Sequence, residues 1–476
     1  MNAVQRLLGA ILAVTVLSCE GNAPADPRAS QMAQFFSRAL LPLARSRPHQ
    51  LRLRFDEMAI SPFRFLRGSE ILYTRDLRDA SLPFAQTSLP GVDRVLLLGD
   101  AHLENVGTYL GPRVDLNDFD VAGFGPPWWE VRRAAASLLV GLREANPGKV
   151  DEQEAAATLA RAYAAAVVAG EVGEIRPGEV GVVIQKRLDS AAKDGTAREE
   201  LDEFTRVSNG QRWLKRGITD PSDPREALLA APPAVVEALP QALSAYLPSL
   251  FRHDFPPGYF AIKDVARRCG QGVGSLTAVR FYVLIEGASP SVQDDVILQL
   301  KESPDASLDV DLAYGPPPSS QSQRVVERQR RLQSVPDADP HLGYTRLLDI
   351  PVVVSTITDF QKTVRVGDLE GRSAADLLRF ASDFGHLLGR SHARGVTVNG
   401  ELAREPLRAW LAGREDAFAA ETAAAAVAYA DQVVADHQRF LALRRDFGPL
   451  LGLQDRPPND TPSDLAARAV LDPPCP

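Results

Sequence analysis

The chain has 476 residues, 45% of them hydrophobic and 24% charged, with a formal net charge of −8. That length allows about three compact units, or two with insertions. The composition is that of an ordinary globular protein, and the acidic balance argues against a nucleic-acid partner.

The N-terminus reads as an export signal. "MNAVQRLLGAILAVTVLSCEG" has one basic residue, Arg6, before an apolar run from Leu7 to Leu17. The run is too short to span a membrane and fits the apolar core of a signal peptide. Val16-Leu17-Ser18-Cys19 resembles a bacterial lipoprotein cleavage box, with Cys19 as the lipidated residue. The alternative is a plain signal peptide with an incidental Cys. Gly21 to Asp26 reads as a tether, so residues 1–26 are set aside from the fold. The expected location is the cell envelope, with a lipid anchor holding the protein to a bacterial membrane at the periplasm or surface.

In chain order, residues 30–46 and 50–66 look helical or mixed, up to "SPFRFLRG". "RVLLLGD" (94–100) is a short strand that stops at a Gly, and "VDLNDFD" alternates like a hairpin partner. Residues 128–145 carry Val131, Ala135, Leu138 and Leu142 on one helical face. Residues 151–172 form a second helix, with Asp151 and Glu154 suited to a capping box. Residues 173–255 read as mostly helical, broken by Pro clusters. From 260 the texture changes to three strands with tight Gly turns, ending in "VILQLKES". A basic helix (321–335), a strand ("IPVVVSTI"), a capped helix (373–394) closed by Gly395, and a last helix (413–445) follow. No C-x-x-C is present and the seven His are scattered, which argues against structural zinc. An oxidising compartment permits a bond between Cys269 and Cys475; the plainer reading leaves both thiols unpaired.

One cluster carries chemistry. Asp100 and Asn105 have the D-x-x-x-x-N spacing of the catalytic loop in protein-kinase-type phosphotransferases. There the Asp accepts the proton of the attacking hydroxyl and the Asn holds magnesium. Asp118, in "NDFD", is placed as the second metal-binding residue, and magnesium needs few protein ligands. "GDAH" also resembles a metallophosphoesterase fragment, but that chemistry needs several His ligands in separate motifs.

A second cluster supplies what such a site still lacks. Gly270, Gly272, Gly274 and Ser275 form a Gly-rich turn between two strands, where the backbone can approach phosphates. Lys301 ends the next apolar strand, like the Lys of V-A-I-K. Glu327, on the following helix, is the expected ion-pair partner of Lys301, and "TDFQK" (358–362) the hinge whose backbone would meet adenine. An ordinary kinase runs Gly-rich loop, Lys, Glu, hinge, helix, catalytic loop, metal Asp. Here the catalytic loop and metal Asp come first, as a circular permutation would give.

"GDAHLENVG", "DLNDFD", "LQLKES", "RVVERQRRLQ", "GRSHARG" and "YADQVVADH" together resemble a bacterial family known as domain of unknown function 2252, over about residues 45–445. That family is grouped by similarity with protein-kinase-like and aminoglycoside-phosphotransferase-like folds. The resemblance therefore implies a nucleotide and a hydroxyl or amino acceptor, with no established substrate. Thr277 stands where a further Gly is expected, and Glu130 where Asp is usual. Arg67 in "FLRG" matches a family motif and is a candidate phosphate or substrate contact, with a buried structural Arg as the equal alternative.

The expectation is an α+β, two-lobed, permuted kinase-like fold. A helical lobe would span 27–257, a β-rich nucleotide lobe 258–365, and completing helices 366–476. It would use ATP and Mg2+, with Asp100 as base, Asn105 and Asp118 on metal, and the Gly-rich turn, Lys301 and Glu327 on the nucleotide. The competing expectation is an inactive pseudokinase or interaction module, because the envelope holds little ATP.

Overall fold

The computed structural model describes residues 26–79, 82–109, 113–194, 199–303, 320–358, 360–453 and 475. The signal-like segment and Cys19 lie outside the described residues. Four helices open the chain: α1 (Pro27–Ser46), α2 (Pro48–Ile60), α3 (Pro62–Gly68) and α4 (Glu70–Leu77). The first three begin with Pro, whose missing N–H costs nothing in a first turn. Asp26 caps α1 by accepting from the Arg28 amide at 2.8 Å.

Two small strand pairs follow. β1 (Val95–Leu97) pairs antiparallel with β4 (Gly123–Gly125), and between them β2 (Val106–Tyr109) pairs with β3 (Arg113–Leu116). Beneath them lies a helical core of α5 (Pro127–Ala145), α6 (Glu152–Ala169), α11 (Ala374–Arg394) and α13 (Glu415–Phe447), completed by α7 (Val182–Asp194) and α12 (Arg404–Leu411). Asp151 caps α6 through the Glu154 amide, and Ser373 and Asp376 make a reciprocal box at α11.

Residues 173–255 depart from the helical expectation. They hold α8 (Glu199–Phe204), β5 (Thr205–Ser208), β6 (Gln211–Leu214), β7 (Gly217–Asp220), β8 (Asp223–Ala230) and α9 (Pro233–Tyr246). Asn209 and Gly210 make the tight β5–β6 turn with positive φ at both positions, a signal legible in "SNGQ". β7 and β8 join a seven-stranded antiparallel sheet with β9 (Ile262–Arg268), β10 (Arg280–Ile285), β11 (Val296–Glu302), β12 (Gly343–Leu347) and β13 (Ile350–Thr356), in the order β12-β13-β11-β10-β9-β8-β7. The sheet half thus recruits chain from before residue 258. α9 packs on one sheet face, against Val283, Leu298, Leu300 and Val352. α10 (Gln321–Leu332) leaves the sheet and reaches the helical half, where Arg324 donates to the carbonyls of Asp120 (2.8 Å) and Ala122 (2.9 Å). The molecule is a mixture of helix and sheet, as expected.

Cys269 and Cys475 are disulfide-bonded, Cα to Cα 5.6 Å, and both are buried. This corrects the unpaired reading: 206 positions separate the two residues in sequence, and only the fold brings the tail beside β9. Among the described residues no helix is long and apolar enough to cross a membrane.

Candidate functional site

The loop after β1 is fixed from below. Glu130, on the first turn of α5, accepts from the amides of Leu98 (2.8 Å) and Gly99 (2.5 Å). Gly99 turns with φ 93°, and a Cβ there would lie 2.4 Å from the Val121 carbonyl oxygen, so only Gly fits. His392 of α11 meets the same Glu130 carboxylate at 2.7 Å through Nε2. With a carboxylate on that side the imidazole donates from Nε2, and Nδ1 accepts from the Tyr163 hydroxyl at 2.9 Å. Past α11, the chain runs beside β1: Leu96 N donates to Val396 O at 2.9 Å and Val398 N to Arg94 O at 2.8 Å.

Asp100 follows. Its carboxylate accepts from Arg133 Nε at 2.7 Å. Burial pushes it up to about 7, against the opposing pull of Arg133. Asn105 is buried, and its Nδ2 donates to the Asp100 carbonyl at 2.9 Å. It braces the loop from within.

Asp118 adopts φ 64°, a left-handed conformation uncommon for a residue with a side chain. Lys301, at the end of β11 and opposite Arg280 in register, reaches it at 3.7 Å. Lys301 also forms an ion pair with Asp120. Despite desolvation in the cleft, Lys301, Arg280 and Arg67 hold the Asp118 carboxyl below the usual range. Burial raises that of Asp120, with Lys301 opposing.

The Gly-rich turn stands over these groups. Gly270 and Gly272 have φ 83° and 81°, and Gly274 opens a short 3-10 turn to Thr277. Ser275 Oγ accepts from Arg280 Nη2 at 2.6 Å. A Cβ on Gly274 would sit 3.3 Å from the Arg67 carbonyl oxygen, so the turn rests on α3. Between the turn and the loop is a cleft of about 450 Å3, lined in part by Arg54, Arg67, Asp100, Asp118, Asp120 and Gly272 to Ser275. Arg67 donates to Glu104 at 2.6 Å, and its buried Nε has no partner. Arg54 donates to the Gly68 carbonyl at 2.7 Å.

Most of the expected site thus converges: Asp100, Asp118, Gly272, Gly274, Ser275 and Arg67 line one cleft, and Lys301 reaches its carboxylates. Glu327 does not. It is exposed and accepts from Gln323 Nε2 at 2.7 Å, because α10 turns Arg324, not Glu327, toward the 120–122 backbone. Asp120 takes the place expected of Glu327 beside Lys301. Asp120, Arg133, Arg280 and the Glu130–His392 pair were not singled out for these roles from sequence. Asp120 was within reach, being two residues beyond Asp118 in "NDFD".

For magnesium, Asp118 and Asp120 offer adjacent hard oxygens, the donor type it prefers, with remaining positions left to water or phosphate. Among the described residues no three His, Cys, Asp or Glu gather as a metal cage.

These observations define an α+β chain with a polar cleft between a helical core and an antiparallel sheet. Residues 45–443 match a family described as "Uncharacterized protein conserved in bacteria (DUF2252)", and the chain belongs to it. No curated protein and no solved structure matches the chain.

Proposed function

We propose that the protein is a metal-dependent phosphotransferase with a permuted, two-lobed kinase-like fold, acting at the cleft between loop 99–120 and the Gly-rich turn. The observation that carries this reading is the approach of Lys301 to Asp118 at 3.7 Å, from segments far apart in the chain. A kinase-type site needs a Lys on the third strand of its sheet next to a metal-binding Asp, since both act on the same phosphates. Lys301 lies on the third strand counted from the Gly-rich hairpin, β9, β10, β11. The run of 394–398 along β1 supports the permutation.

In this reading Asp100 accepts the acceptor's proton, and Asn105 holds the loop that carries it. Asp118 and Asp120 would hold magnesium, which neutralises phosphate charge. Lys301, Arg67 and the amides of the Gly-rich turn bind the phosphates, so that catalysis is positioning and charge stabilisation. ATP is the donor that the resemblance implies, and the acceptor is a hydroxyl or amine. The Asp100–Arg133 ion pair favours a second reading, a pseudokinase that binds without transfer, because it ties up the base.

A thermal-shift titration with ATP and other phosphate compounds, with and without Mg2+ or Mn2+, tests the proposal. A metal-dependent rise that Asp118→Asn abolishes supports it. No shift with any phosphate compound sinks it.

A further inference from the structure

Residues on β11 alternate between sheet faces. Leu298 and Leu300 point to the α9 side, so Ile297, Gln299 and Lys301 share the other. A nucleotide with its phosphates at Lys301 and its base at the segment after β13 has to lie along that second face, past Ile297 and Tyr282. The chain itself already covers it. Leu201 and Phe204 of α8 and Leu214 of β6 pack there against Ala266, Tyr282, Leu284 and Ile297. The Phe204 ring stands edge-on to Tyr282 with centroids 5.3 Å apart, and the Arg268 guanidinium lies 5.3 Å over Phe204. Ile357, the first residue past β13, packs on the same cluster.

The backbone expected to greet a base is also engaged. Ile357 N donates to Ile297 O at 3.0 Å, Thr108 N donates to Lys362 O at 2.8 Å, and Thr108 Oγ1 donates to Phe360 O. The cleft lies elsewhere. Its lining runs from the Gly-rich turn to Arg47, Arg54, Arg67 and Ser303, and includes none of the described residues of 357–362. Ser303 Oγ and His102 Nδ1 are buried at its wall without partners.

We infer, resting on the phosphotransferase reading above, that the donor site takes an inorganic oligophosphate and not a nucleotide read through its base. The arginines and Gly-rich turn meet phosphate, while Phe204, Leu201 and Leu214 stand where a base would go. With tripolyphosphate, the acceptor oxygen bonds to a terminal phosphorus and the bridging P–O bond breaks. Pyrophosphate leaves with that electron pair, and the acceptor proton passes to Asp100.

The test is calorimetric titration of the full chain with tripolyphosphate, ATP and GTP, each with Mg2+. Tripolyphosphate is expected to bind, with ATP and GTP tighter by no more than about tenfold. Weakening of all three by about tenfold or more in Asp118→Asn, or in Lys301→Gln should the first variant fold poorly, assigns the binding to this cleft. ATP binding more than about tenfold tighter than both GTP and tripolyphosphate means that a base is read, which overturns the inference and leaves the phosphotransferase reading standing. Tripolyphosphate binding unchanged in both variants also overturns it, by moving the site. Silence from all three compounds removes the reading on which the inference rests.

Discussion

His392 on α11 and Glu130 on α5 meet at 2.7 Å with both side chains buried, and through Glu130 the helix α11 is tied to the amides that precede Asp100. The loop is thus held in place by a residue far along the chain.

Glu130→Ala is expected to destabilise the protein by about 3 kcal/mol or more, since two buried amides and an imidazole lose their acceptor together. Glu130→Gln keeps one acceptor and should cost less. Urea unfolding checks this: the midpoint should fall in the order wild type, Gln, Ala, with an unchanged slope.

Asp118 and Asp100 should separate in their effects. Asp118→Ala is expected to abolish metal-coupled phosphate binding, and Asp100→Ala to keep binding while removing transfer. Binding and turnover assays on both variants decide. Turnover surviving in Asp118→Ala, with binding lost in Asp100→Ala, reverses the roles.

Asp118 also carries a backbone cost. At φ 64° a Gly is relaxed where an Ala is strained, so Asp118→Gly is expected to be more stable than Asp118→Ala by about 1 kcal/mol, with binding lost in both. Denaturant midpoints of the two unliganded variants give the sign; a lower midpoint for Gly than for Ala contradicts it.

Acid should destabilise the fold in one identifiable window. Burial holds His102, His341, His386 and His437 below the usual imidazole range. Below pH about 6.5 the unfolded chain takes up protons that these rings refuse in the native state. Stability from this source is therefore full above that pH and falls as pH drops through it. Asp100, pushed up to about 7 by burial, takes up a proton in the native state over the same range and works the other way. The imidazole part is therefore read from the change that His102→Gln makes in the difference between unfolding free energies at pH 7.5 and 5.5: the variant should lose less stability on acidification.

Reduction should also weaken the fold. Breaking Cys269–Cys475 is expected to cost about 2–5 kcal/mol, read as a lower melting temperature in dithiothreitol that Cys475→Ser reproduces. Identical melting with and without reductant would contradict the bond.

Sequence reading reached the elements whose signals are local. The apolar run before Gly99, the alternation of β11 into Lys301 and the capped helix at 373–394 are each written in a few adjacent residues. Asp118 beside Lys301 followed from what phosphate chemistry demands, not from spacing. Glu327 was misplaced because the facing of α10 depends on which residues dock on the 120–122 backbone, and the Arg324 contacts decide that. β7 and β8 were missed because the four residues of β7, "GITD", are too few to show a pattern, and "DPREALLA" of β8 reads as readily as helix and becomes a strand only by joining an existing edge. The role of Phe204 depends on which sheet face it covers, a property of the tertiary fold alone.

The pairing of Leu96 with Val396 also sets a clock on synthesis. The ribosome adds roughly 5–20 residues per second, so about 300 further positions separate the two partners by some 15–60 s. Throughout that interval "VLLL" is an apolar strand with an open edge, the kind of segment that other chains pair with. That edge is closed once residues 396–398 have been made, before the last two helices of the chain exist.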